Sequence, residues 1–133
     1  MKEIFADTFY FLALLSPTDQ AYQRALSATL NQRAKLVTTA WVLTELANAL
    51  CRHELRAGFM QTLGALRSDP SVVIVAPEQR WFDAAIQMYS TRPDKDWSLT
   101  DCVSFVIMQD RGIAEALTGD RHFEQAGFKA LLR

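Results

Sequence analysis

Brief apolar runs alternate with longer stretches of helical periodicity along the whole chain, and this alternation restricts the fold more than any other feature of the sequence. The segments Glu3–Ala6, Lys35–Thr38, Ser71–Val75 (SVVIV), Ile113–Leu117 and Phe128–Leu131 are short and apolar and read as strands, the third most strongly because of its β-branched residues. Thr8–Leu15 reads as a helix halted before Pro17, and Asp19 caps a second that reaches Gln32. Thr39 caps a long helix from Ala40 to Leu55, and Gly58 separates it from another ending at Arg67. Pro77 begins a helix extending to Thr91, Ser98 opens one that Gly112 closes, and Arg121–Gln125 forms a single turn. Strands interleaved with helices build a parallel sheet covered on both faces, with right-handed crossovers. Ligands of such sheets gather beyond the carboxyl ends of the strands.

The 133 residues are read as a single domain spanning 1–133, and a composition that is 50% apolar and 22% charged supports a conventional hydrophobic core. No apolar run approaches the roughly 20 residues of a membrane-spanning helix. Glu3 and Asp7 also interrupt the beginning of the chain before an export signal can develop, so the expected location is cytoplasmic. With 14 basic against 15 acidic residues, no global positive field draws in nucleic acid, and a polyanionic substrate must be held by local basic groups or bound cations. Cys51 and Cys102 lie in helical runs without a zinc or redox spacing, and both are expected to be buried, reduced thiols.

Four acids stand among apolar neighbours. Asp7 ends the first strand and precedes TFYFLALL, as either a helix cap or a ligand at a strand exit. Glu45 lies in AWVLTELANALC, near Val42, Leu46, Ala49 and Leu50 at helical spacing, and is expected to be buried or half-buried. A carboxylate there must be protonated, paired or bound to a cation. Asp101 follows Ser98 at the spacing of a capping box, and Asp120 follows the strand EALTG; each is a cap or a strand-end ligand. Together the four are expected at one end of one sheet, where their mutual repulsion is relieved by a divalent cation. An all-oxygen set selects Mg²⁺ or Mn²⁺ over zinc.

Candidate phosphate contacts are Arg52, Arg56, Arg121 and Lys95, each also readable as a solvated charge. Trp97, before the Ser98 helix, is a candidate base-stacking platform, whereas Trp41 and Trp81 read as core or interface. His53 and His122 have no spacing that links them to another catalytic residue and read as peripheral, His122 as a polar residue of a helical turn.

The phrases FADTFYFLALL, TTAWVLTELANAL, DWSLTDCVSFVIMQDRG and LTGDRHFEQAGFKALL, in this order, cover almost the whole chain, which resembles a PIN domain and most closely the VapC-type toxin ribonucleases of bacterial toxin–antitoxin modules. The resemblance implies a three-layer α/β/α sandwich with a four- or five-stranded parallel sheet and Mg²⁺- or Mn²⁺-dependent endonucleolytic cleavage of RNA. Carried over position by position, it makes Asp7, Glu45, Asp101 and Asp120 the metal-binding and catalytic cluster, supported by Thr8, Ser98 and Thr118. Asp96 reads as a loop acid near the third motif. The resemblance also implies a homodimer and a small VapB-type antitoxin whose C-terminal segment lies in a groove lined by the helices between Ala40 and Arg67. Metal-assisted hydrolysis would leave a 5′ phosphate and a 3′ hydroxyl and requires no nucleophilic side chain. An aspartyl-phosphate mechanism fits less well, because Phe9 stands where such phosphatases place a second acid. The alternative within the family is a catalytically silent PIN-like module that binds RNA or protein.

Overall fold

The computed structural model describes residues 2–133. Its elements in order are β1 (Glu3–Ala6), α1 (Thr8–Leu15), α2 (Tyr22–Asn31), β2 (Lys35–Thr39), α3 (Ala40–Ala49), a 3₁₀ turn (His53–Leu55), α4 (Arg56–Ser68), β3 (Val72–Val75), α5 (Gln79–Thr91), α6 (Leu99–Arg111), β4 (Glu115–Leu117), α7 (Arg121–Gln125) and β5 (Lys129–Ala130). The five strands form one sheet in the order β3-β2-β1-β4-β5. All four pairings are parallel, with Phe5 of the central strand opposite Val37 on one side and Ala116 on the other. The chain runs outward from β1 to β3, then returns to lay β4 on the free flank of β1. That reversal opens a crevice at the carboxyl ends of β1 and β4, where open α/β sheets bind their ligands.

Successive side chains of a strand point to opposite faces, yet Ile4, Phe5 and Ala6 are all buried, so helices cover both faces of the sheet. The α/β/α architecture expected from the sequence is therefore present. Beneath the crevice, the ring of Phe105 meets Phe123 and Trp97 edge-on at centroid distances of 4.9 and 5.0 Å. These contacts pack α6 against α7 and the loop carrying Trp97, and Phe123 in turn meets Phe5 of β1 at 6.3 Å.

The end of α6 follows sequence expectation closely, since Gly112 adopts φ 68°, a left-handed conformation open to glycine at no steric cost. Four local expectations require correction. Helix α3 ends at Ala49, where Leu50 leaves helical geometry at φ −107°, and a 3₁₀ turn occupies the segment read as its continuation. Gly58 lies inside α4 rather than before it, together with Gly64; each helical glycine is tolerated at a cost of about 1 kcal/mol. Asp19 accepts the Ala21 N–H and closes a turn ahead of α2 instead of capping the helix. Cys51 is exposed because it falls beyond the shortened α3, whereas Cys102 is buried as expected. Among the described residues, no helix is long and apolar enough to cross a membrane.

Candidate metal centre

The crevice is a cleft of about 370 Å³ lined by Asp7, Thr8, Phe9, Leu12, Glu45, Asp96, Ser98, Asp101, Asp120 and His122. Four elements deliver its acids: the exit of β1, the middle of α3, the first turn of α6, and the residue capping α7.

Asp7 occupies the position before α1, but its side chain makes no capping hydrogen bond to that helix. Its Oδ2 instead accepts the Thr118 hydroxyl at 2.8 Å. Both residues are buried, Asp7 at 6% exposure and Thr118 at 0%. Burial pushes the Asp7 carboxyl up to about 7. The hydrogen bond from Thr118 opposes that shift, and the charges of Asp101 and Glu45 add to it. Thr118 also accepts the Asp120 N–H at 3.1 Å, so one hydroxyl fixes the first acid and orients the backbone of the last.

Ser98 and Asp101 close a reciprocal capping box: the Asp101 N–H donates to Ser98 Oγ at 3.0 Å and the Ser98 N–H to Asp101 Oδ2 at 3.1 Å. The capping-box reading of Asp101 is thus correct, and its carboxylate also lines the cleft. Burial raises its pKa, the capping bond opposes this, and the nearby Asp120 charge raises it further. Asp120 likewise caps α7 through the His122 N–H at 2.9 Å while facing the cleft. Glu45 differs from expectation: it lines the cleft but is exposed. The buried stripe of α3 follows Val42, Leu43, Leu46 and Leu50, and Glu45 stands about 100° around the helix from Leu46.

His122, read from sequence as peripheral, lines the same cleft. Its Nδ1 lies 3.2 Å from Asp101 Oδ2 and 3.4 Å from Asp120 Oδ1. One donor atom from each of Asp101, Asp120 and His122 falls within 4.8 Å of the others. The available signal was its position two residues after Asp120, which folds the ring back over the cap. Phe9 was also missed. A Cβ at Gly119 would lie 2.4 Å from the tip of the Phe9 ring, so the glycine lets this ring form a wall of the cleft.

The expected nucleic-acid contacts are dispersed. Arg52 pairs with Glu54, Arg56 donates to the Cys51 carbonyl, and Lys95 sits 3.9 Å from Asp94. Arg121, exposed in the first turn of α7, adjoins the cleft acid Asp120, and Lys95 adjoins Asp96 at the cleft rim. The stacking role read for Trp97 is corrected: it is 7% exposed, packs against Phe105 and donates its indole N–H to Gln125 Oε1. Its face is closed to a base. Asp96 is exposed at the cleft rim.

The donor set suits a hard divalent cation: carboxylates from four parts of the chain face one cleft, and the buried Thr8 hydroxyl on its wall has no hydrogen-bond partner.

Among curated protein sequences, none matches the chain. Among solved structures, the chain is similar to VapC20 of Mycobacterium tuberculosis, described as a sarcin-ricin loop cleaving toxin, with a TM-score of 0.85 and 24% identity over 94% of this chain and 95% of that one. It is also similar to FitAcB from Neisseria gonorrhoeae, with a TM-score of 0.69 and 15% identity over 96% of this chain and 94% of that one. Both likenesses concern the fold. The PIN domain family matches residues 4–129. The chain therefore belongs to the PIN domain family.

Proposed function

We propose that this PIN domain is a Mg²⁺- or Mn²⁺-dependent endoribonuclease and serves as the VapC-type toxin of a type II toxin–antitoxin module, acting in the cytoplasm. The observation that carries this reading is the convergence of Asp7, Glu45, Asp101 and Asp120 on one cleft at the strand reversal. A catalytically silent module has no need to keep a buried carboxylate such as Asp7 beside other acids, because burying it costs stability.

In this reading the four carboxylates hold the ion. A bound ion would supply activation of a water and neutralisation of charge on the scissile phosphate. The rest is done by the protein. Thr118 fixes one oxygen of Asp7, and the Ser98 capping box locks the rotamer of Asp101. The α7 cap fixes Asp120. Glu45 lines the cleft and is exposed to solvent. Neither a nucleophilic side chain nor a covalent intermediate is involved, and the products carry 5′ phosphates and 3′ hydroxyls.

A groove of about 390 Å³ between α3 and α4, lined by Leu50, Cys51, Arg56, Phe59 and Met60, is the proposed seat of the antitoxin segment. It lies within the stretch between Ala40 and Arg67. Exposed Phe82, Ile86 and Tyr89 share one face of α5 and are the proposed contact of a homodimer.

The reading is tested by incubating the purified protein with total RNA and with a hairpin carrying the sarcin-ricin loop, chosen because VapC20 is described as cleaving it. New ends are then mapped with Mn²⁺ or with a chelator. Discrete 5′-phosphate ends that require Mn²⁺ are expected; intact RNA at saturating Mn²⁺ would overturn the nuclease assignment.

A further inference from the structure

The geometry points to His122 as a direct ligand of the metal, making the centre a mixed imidazole–carboxylate site rather than an all-oxygen one. This deepens the proposed function and rests on its metal centre. Adjacent ligands on an octahedral cation with bonds of about 2.1 Å are separated by roughly 3 Å. The two separations from His122 Nδ1, 3.2 Å to Asp101 Oδ2 and 3.4 Å to Asp120 Oδ1, are close to that spacing. The imidazole thus presents a nitrogen to the two carboxylate oxygens that a shared ion would meet, and all three atoms already lie in one small cluster.

Three features hold the ring there. Asp120 accepts the His122 backbone N–H at 2.9 Å and so fixes the start of α7. Phe123, the next residue, is fully buried and anchors that turn against Phe105 and Phe5. The His122 side chain is itself only 20% exposed, so few alternative positions are open to it. An imidazole nitrogen strengthens binding of transition-metal ions more than of Mg²⁺, which favours oxygen and its own waters. His122 is accordingly assigned to metal selectivity, favouring Mn²⁺ over Mg²⁺, while the four acids serve either ion.

The test has a readout independent of RNA cleavage. Electron spin-echo spectroscopy of the Mn²⁺-loaded protein detects modulation from a directly bonded ¹⁴N, and titration calorimetry compares Mn²⁺ with Mg²⁺ in the wild type and in His122→Gln. Ligation predicts nitrogen modulation that disappears in the variant. Mn²⁺ affinity should fall by a larger factor than Mg²⁺ affinity. The other histidine, His53, is exposed in the 3₁₀ turn and is not among the residues lining the cleft, so the variant identifies the source of the signal. If Mn²⁺ binds the wild type without nitrogen modulation, His122 only hydrogen-bonds to the acids; the inference fails and the nuclease reading stands. If Mn²⁺ does not bind at all, both fail.

Discussion

In metal-free buffer at pH 8, Asp7→Asn is expected to melt at a higher temperature than the wild type while cleaving no RNA. The stability gain follows from linkage. Burial raises the Asp7 carboxyl from 3.8 to about 7 in the folded chain. Below the unfolded value the group is protonated in both states and costs nothing. Between the two values the folded state binds the extra proton, so stability falls as pH rises, and above about 7 the full cost of the buried charge is carried. At about 1.4 kcal/mol per unit, the shift corresponds to roughly 2–4 kcal/mol once relaxation of the site is allowed for. Asparagine keeps an oxygen for the Thr118 hydroxyl and has no charge to desolvate. Saturating Mn²⁺ should reverse the ranking, because only the wild type retains its full ligand set. Thermal melts from pH 4 to 8, with and without Mn²⁺, measure this crossover. A variant less stable than the wild type under every condition would show that Asp7 is structural.

The second large effect is expected at Asp101. At about 100 times its dissociation constant, a bound cation adds about 2.7 kcal/mol to stability. The wild type should therefore show an upward melting shift with Mn²⁺ that a chelator removes. Asp101→Asn should lose that shift and lower the cleavage rate by on the order of 10³-fold. Asparagine still offers an oxygen to the Ser98 N–H and can preserve the α6 cap, so the metal-free melting temperature should change little. An unchanged Mn²⁺ shift in the variant would remove Asp101 from the ligand set.

The sheet and much of the centre were legible in the sequence for local reasons. Asp7 stands at a strand exit, and Ser98 and Asp101 carry the spacing of a capping box that forms, with the Asp101 carboxylate also lining the cleft. What escaped depends on contacts remote in sequence or on unpunctuated backbone. No glycine or proline marks the end of α3 at Ala49, so helical periodicity alone carries the helix on to Leu55 and places Cys51 within it. Glu45 has apolar neighbours at helical spacing, yet the buried stripe runs through Val42, Leu46 and Leu50 beside it. Trp97 was read from its nearness to the acids, whereas Phe105, one helical turn farther along than Asp101, draws its ring into the core. His122 was passed over because its partner Asp101 lies 21 residues earlier, beyond any local pattern.

The central claim is that carboxylates from four separate elements bind one divalent cation, and Mn²⁺ bound in crystals of the protein tests it most directly through anomalous scattering. The account predicts a strong peak in the cleft enclosed by Asp7, Glu45, Asp101 and Asp120. A fully occupied peak elsewhere, or an empty cleft at Mn²⁺ concentrations that support RNA cleavage, would contradict it.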